Sequence, residues 1–315
     1  PYRDWVVKSF NDNLPLDDFI RWQLAGDLLP NPTLEQLTAT GFVRMNPTTS
    51  EGGAIPAEFQ AKNNFDRVET LGTVLLGMSM TCARCHTHKY DPIPQTEYYQ
   101  LMAYFNNTSE GAMDGNRYEY GPVVKVPKDQ AGWADWEQFV ANRDQLLKAV
   151  TATCEAPAET LRDLSPDEQL SRLADPEGPF ARLDYHSEAQ RLVKEKDDLT
   201  ANFTTSLVAR EREKIRPTHV LHRGEYDQPV GAPVEPGVLS VMGGLPPDAP
   251  ANRLGLAQWL TSESHPLVAR VLVNRIWQRV FGYGLVRSTE DFDLQGQHPN
   301  HPELHDWLDE NLNVS

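Results

Sequence analysis

The chain of 315 residues is short of several things, and each shortage excludes something. It has 3 cysteines, too few for a disulfide framework, so its stability must come from buried apolar surface. It has no run of eighteen apolar residues. The nearest stretch, Thr73 to Met80, is far too short to span a bilayer, so no transmembrane segment is expected. Basic residues are in deficit: Lys+Arg 29 against Asp+Glu 45 leaves a net charge of −16, a field that repels phosphate backbones and argues against nucleic acid as a partner. Ser-His-Asp hydrolase signatures, phosphate-binding loops and dinucleotide fingerprints are missing, as are internal repeats. The chain opens at Pro1 without Met or a secretory signal and closes at Ser315 just after an apparent helix start, so it reads as a fragment of a longer protein.

What is present is an ordinary globular composition, 39% hydrophobic and 23% charged, long enough for about two domains. The expected fold class is mainly α: two helical domains joined by a helical hairpin insertion and a Pro/Gly-rich linker. Residues 1–108 carry repeated helix signals. Leu16, Phe19, Ile20 and Leu24 share one face after the acidic start Asp17-Asp18. Thr33-Leu-Glu-Gln36 is a capping-box pattern, and Pro56 suits the first turn of a helix running through Phe65, Val68 and Leu71. Residues 109–215 are charge-rich and poor in glycine, with one apolar stripe from Trp133 to Val150 and another from Leu183 to Leu207. They read as a hairpin of solvated helices, with Pro157, Pro166, Pro176 and Pro179 breaking the region between the stripes. Residues 216–251 have a linker or ordered-loop composition. Within 216–315, Asn252 caps one helix and Pro266 opens another that ends at Gly282.

The stretch that carries chemistry is Thr81-Cys82-Ala83-Arg84-Cys85-His86-Thr87-His88-Lys89-Tyr90-Asp91-Pro92, which contains C-x-x-C-H. In covalent haem attachment two thiols so spaced add to the vinyl groups on one porphyrin edge and the adjacent His becomes an axial iron ligand. Cys82, Cys85 and His86 are then the haem-binding residues. Met78, Met80 and Met102 come into question for the opposite face, although core packing is the commoner use of Met78 and Met80. The same donors suit zinc, held by His86 and His88 with Cys82 and Cys85, and with Asp91 as a further ligand. Against this, structural zinc sites usually draw ligands from two separated segments. A C-x-x-C dithiol for disulfide exchange is a third reading, without a surrounding βαβ pattern.

Around this motif the wider sequence resembles a known pair of domains. Glu51-Gly52-Gly53, Asp66-Arg67-Val68, Leu76-Gly77-Met78, Cys82 to Pro92, Glu97-Tyr98-Tyr99 and Phe105-Asn106-Asn107 resemble, in order, the planctomycete cytochrome-associated domain of unknown function. His219, Arg223-Gly224, Pro236-Gly237, Asn252-Arg253, Trp259, Asn274-Arg275, Trp277 and His301-Pro302-Glu303-Leu304 resemble its companion planctomycete domain, here truncated. The chain departs from the pattern at Thr87, where the family has Asp, and at His305, where it has Leu. Loss of the acid at Thr87 removes a partner for His86 or a metal. The resemblance implies a periplasmic or cell-surface protein, with an upstream cytochrome-type domain or redox partner and no established reaction.

Three function classes follow as expectations. The first is an extracytoplasmic c-type-haem redox or electron-transfer protein. The second is a non-redox binding or scaffold module, its Cys/His cluster holding zinc or a disulfide and its Arg-rich second half taking a polyanionic or carbohydrate ligand. The weakest is a metal-dependent hydrolase. Other constellations point to structure: an intrahelical or interhelical ion pair at Asp66-Arg67 that ties its helix to the cysteine-motif loop, solvated or capping roles for His298, His301 and His305, and buried or surface pairs for Arg253, Arg270 and Arg275 beside Asn274. Glu51 and Asp91 would make an acid–base pair only if the fold joined them.

Overall fold

The structure, a computed structural model, describes residues 1–49, 51–113, 120–153 and 160–312; Cys154 lies outside them. It is mainly helical. The helices are α1 (Tyr2–Asn11), α2 (Leu16–Ala25), α3 (Leu34–Ala39), α4 (Pro56–Leu71), α5 (Gln95–Asn106), α6 (Gln130–Thr153), α7 (Pro166–Ala174), α8 (His186–Ala201), α9 (Arg253–Leu260), α10 (Val268–Phe281) and α11 (Pro302–Leu312). Four short strands make two two-stranded sheets: β1 (Val123–Val126) with β2 (Thr204–Leu207), and β3 (Thr218–Leu221) with β4 (Pro229–Val234). Among the described residues no helix is long and apolar enough to cross a membrane.

The chain divides into two compact units. One comprises Pro1–Lys8 and Val123–Ser206, the other Ser9–Pro122 and Leu207–Ser315. In the first, α6, α7 and α8 pack around Phe139, Val150, Leu161, Leu170, Leu173 and Leu192. Pro166 does not simply interrupt the region. It stands in the first turn of α7, where its missing N–H costs nothing, and Ser165 and Glu168 form a capping box ahead of it. The Asp167 carboxylate then receives Arg143 at 2.7 Å and Lys196 at 2.6 Å, joining all three helices.

The second unit has one core drawn from sequence-distant segments. Ile20, Leu24, Phe65, Val68, Leu71, Leu76, Tyr98, Tyr99, Leu256, Trp259 and Leu260 belong to a single buried cluster. Each such side chain removed from water contributes about 1.5–3 kcal/mol. Helix α2 turns its Ile20–Leu24 stripe inward, and α3 starts at the expected box, with Thr33 Oγ1 accepting the Gln36 N–H at 3.2 Å. The Pro/Gly-rich stretch after residue 216 forms the antiparallel β3–β4 pair against α5, with Leu221 and Leu239 buried.

Helix α4 continues into a wider helical turn, Gly72–Leu76, that stops at Gly77 in the left-handed region with φ 62°. A β-carbon there would come within 2.9 Å of both Phe292 and Val271, so a glycine is needed for conformation and for close approach. The Gly77 carbonyl accepts the Phe292 N–H at 2.8 Å. Met78 and Met80 then point into the core, and the chain enters the cysteine motif from that anchor.

Candidate functional site

Residues Thr81–Arg84 form one short 3-10 turn. Ala83 is fully buried and pins the turn, leaving Cys82 exposed and Cys85 half-exposed; neither is in a disulfide. The backbone carbonyl of Arg84 accepts the Tyr99 hydroxyl at 2.9 Å and Gln95 Nε2 at 3.1 Å, so two side chains of α5 hold the motif from below. The Arg84 guanidinium lies over the Phe65 ring, 5.0 Å from its centroid, and 3.6 Å from Glu69.

A second segment covers one thiol. Cys85 Sγ donates to the carbonyl of Arg223 at 3.2 Å, and Gln95 Nε2 reaches the Leu221 carbonyl at 3.3 Å. The covering turn has Arg223 at φ 51° and Gly224 at φ 76°. At Gly224 a β-carbon would meet the Arg84 side chain at 3.1 Å and Cys85 Sγ at 3.4 Å, so turn and thiol are fitted to each other.

His86 is exposed, with Nδ1 2.7 Å from the Thr87 carbonyl. A carbonyl can only accept, so Nδ1 carries a proton and Nε2 is the ring nitrogen left to bind a metal. The Thr87 hydroxyl accepts the Gln95 N–H at 3.3 Å and so starts α5. Threonine at this position therefore serves the fold.

His88 points elsewhere. Its Nδ1 accepts the Asp91 N–H at 2.9 Å and lies 2.9 Å from Asp91 Oδ2, which has no hydrogen-bond partner among the described residues. Asp91 is buried, and its other oxygen accepts the Leu294 N–H at 3.1 Å. Burial pushes the Asp91 carboxyl above the usual carboxylate range, Asp293 adds to this, and the Leu294 N–H and His88 oppose it. Its hydrogen bond with Asp293, together with burial, pushes Asp291 up to about 6. Burial opposes ionisation of Asp293 as well, but the bonds from Asp291 and the Gln295 N–H hold it low. His88, Asp91, Asp293 and Asp291 therefore form one connected acidic chain.

Among the described residues no group of three or more His, Cys, Asp and Glu side chains is arranged to hold a metal ion. Glu51 is exposed, whereas Asp91 is buried among His88, Asp293 and Leu294, so the structure shows no acid–base pair of the two. Met78, Met80 and Met102 are all core residues.

Residues 1–110 match the family model PSCyt2, described as a protein of unknown function (DUF1549), and residues 252–315 match PSD1, also a protein of unknown function (DUF1553). The two matches fall in this order along the chain. No curated protein and no solved structure matches it. The PSCyt2 segment supplies the C-x-x-C-H turn and its α5 support. The covering Arg223–Gly224 turn lies between the two matches, and Asp291, Asp293 and Leu294 come from the PSD1 segment.

Arg253 and Arg275 of the PSD1 segment tie it to the PSCyt2 segment. Arg253 is fully buried, with NH1 and NH2 on the two Asp27 oxygens at 2.9 and 2.7 Å and NH1 also on the Leu24 carbonyl at 2.7 Å. Arg275 donates to the Thr73 carbonyl, and Asn274 bonds both N–H and C=O of Val286. Arg270 pairs with Asp306 and Asp309. His298 and His301 are exposed, and buried His305 meets the Arg270 carbonyl at 3.0 Å.

One expected contact is corrected. Arg67 has its ion pair with Glu110 and ties α4 to Val43, Asn46 and Thr108, not to the cysteine loop. Sequence reasoning missed Glu110, Asp291, Asp293, Gln95 and the Arg223 carbonyl. Of these only the last had a signal, the Arg-Gly pair that marks a tight turn.

Proposed function

We propose that this protein is an extracytoplasmic redox or electron-transfer protein of the c-type-haem kind, with haem attached at Cys82 and Cys85 and His86 as an axial ligand. One observation carries the reading. Two unbridged thiols at the required spacing share a turn with a histidine whose Nδ1–H is held by the Thr87 carbonyl, which leaves Nε2 as the free donor. The donor set fits the group. Each thiol adds across one vinyl double bond, sulfur to one carbon and its hydrogen to the other, so nothing leaves and no oxidant is consumed. When bound, the group supplies one-electron transfer at a potential set by its ligands and exposure.

The chain's own residues prepare this site. Ala83 anchors the turn, Gln95 and Tyr99 fix its carbonyl, and the Arg223–Gly224 turn must release Cys85 for its thiol to react. Segments 1–108 and 216–315, which share one core, would build the site together, with 109–215 inserted between them and 216–251 as the connection. An upstream cytochrome-type domain or a separate redox partner would exchange electrons with the site.

Intact mass after expression with haem-maturation machinery is the test. One covalently added haem is the predicted result, and a Cys82→Ala/Cys85→Ala variant should carry none. An unmodified mass for the parent chain overturns the proposal.

The second reading, a non-redox module with zinc on Cys82, Cys85 and His86 or His88, is favoured by the same free thiols. It requires His88 to leave Asp91 or a ligand to come from elsewhere. About one zinc per chain in colourless protein would support it.

A further inference from the structure

The second unit holds a cavity of about 310 Å³ away from the cysteine turn, with Arg44, Asn46, Thr48, Asn63, Glu110 and Met113 in its wall. Its chemistry is set by the Glu110 side chain, only 6% exposed. Glu110 Oε1 accepts Arg67 and the Thr108 hydroxyl, whereas Oε2 is buried without a hydrogen-bond partner among the described residues. Burial alone would push this acid upward. Arg67 and Arg44, then the Thr108 hydroxyl and the residue's own N–H, outweigh burial and keep Glu110 below the usual carboxylate range. An ionised oxygen left without a donor costs about 1–3 kcal/mol or more, which a donor arriving with a ligand would offset.

The two guanidinium groups are already committed. Arg67 spends its donors on the Val43 carbonyl, Thr108 Oγ1 at 3.0 Å, Asn46 Oδ1 at 2.8 Å and Glu110. Arg44 donates to the carbonyls of Val208 at 2.7 Å, Tyr120 at 3.1 Å and Pro122 at 3.2 Å. Arg44 stands in the wall and Arg67 pairs with Glu110 beside it, so two cations act on one carboxylate. That balance disfavours a cationic ligand. An anion is disfavoured as well, because it would meet the bare Glu110 oxygen with the arginines already bonded elsewhere. A neutral donor is what remains. The nearby amides have only long contacts, Asn63 Nδ2 at 3.5 Å from the Ala112 carbonyl and Asn46 Nδ2 at 3.4 Å from the Pro47 carbonyl, so both are open to better partners.

We propose that this cavity binds a neutral polyhydroxylated ligand, a sugar or linear polyol, with one ligand hydroxyl donating to Glu110 Oε2 and the amides of Asn63 and Asn46 contacting its neighbours. The volume is at the small end of the usual range for ligand pockets, suited to one or two sugar rings.

Calorimetric or saturation-transfer titration of the full chain tests this, with D-glucose, D-galactose, N-acetyl-D-glucosamine and sorbitol as probes and inorganic phosphate and methylammonium as charged controls. The expected result is saturable millimolar binding of at least one neutral probe; sugar and sorbitol arms tell ring from open chain. Asn63→Ala should weaken that binding roughly tenfold, the size of one lost hydrogen bond. Thr48→Trp, at an exposed wall position, should block it without moving the unfolding transition. Absence of binding by all four neutral probes overturns the proposal, as does binding unchanged in both variants or tighter binding of either charged control.

Discussion

The carboxylate of Asp91 accepts the backbone N–H of Leu294 at 3.1 Å, across 203 residues of sequence. The same side chain sits 2.9 Å from Nδ1 of His88, two residues beyond the axial-ligand candidate His86. The loop leaving the cysteine turn is therefore fastened to the PSD1 segment, and its acidic neighbours Asp291 and Asp293 belong to that segment too. Shape at the PSCyt2 motif depends on residues the PSCyt2 match does not include.

Asp91→Ala removes the acceptor for the Leu294 N–H and should lower stability by about 1–3 kcal/mol in urea unfolding. Asp91→Asn keeps an oxygen for the Leu294 N–H and should lose less. Equal losses in the two variants would assign the effect to charge and not to that hydrogen bond.

Arg67 and Glu110 form a buried pair, with side chains 3% and 6% exposed. Arg67→Met strands the carboxylate and should cost about 3–5 kcal/mol. Replacing both, as Arg67→Met with Glu110→Leu, should recover a large part of that loss, because what hurts is the orphaned charge. Additive losses in the double variant would show that the guanidinium's backbone contacts matter more.

Arg253 has no exposed surface and reads Asp27 with both NH groups, joining α9 to the end of α2. Asp27→Ala should destabilise the protein by about 3–5 kcal/mol, with Asp27→Asn intermediate. A change below about 1 kcal/mol for Asp27→Ala would mean that Glu211, 3.3 Å from Arg253 Nε, compensates by itself.

His265 caps α10: its Nδ1 accepts the N–H groups of Leu267 and Val268, both at 3.3 Å, with its ring edge-on to Trp259. Burial pushes its pKa down from 6.5 to about 4. Between those values the unfolded chain binds more protons than the folded one, so this group's contribution is complete above pH 6.5 and lost as pH falls toward 4. The loss should amount to roughly 2–4 kcal/mol, and His265→Asn should flatten the stability profile over that interval. An unchanged profile would place the acid sensitivity elsewhere.

What the sequence discloses is local. The Thr33–Gln36 box, Pro56, the Asn252 cap and the Gly282 stop are chemical signals contained within a few residues, and each element starts or stops where its signal stands. The cysteine motif is visible for the same reason. Strands β3 and β4 are not, because Pro229, Gly231 and Pro233 read as turn residues, and only pairing with residues 218–221 makes them a strand. Glu110 lies 43 residues from Arg67, and Asp91 farther still from Leu294.

The alkaline pyridine absorption spectrum of the chain, made with haem-maturation machinery and stripped of unbound haem by acid acetone, addresses the functional reading most directly. Attachment at both thiols predicts a retained haem spectrum whose long-wavelength band shifts when Cys82→Ala or Cys85→Ala leaves one vinyl group unreacted. A colourless protein after extraction, or a spectrum indifferent to both substitutions, would contradict haem attachment at Cys82 and Cys85.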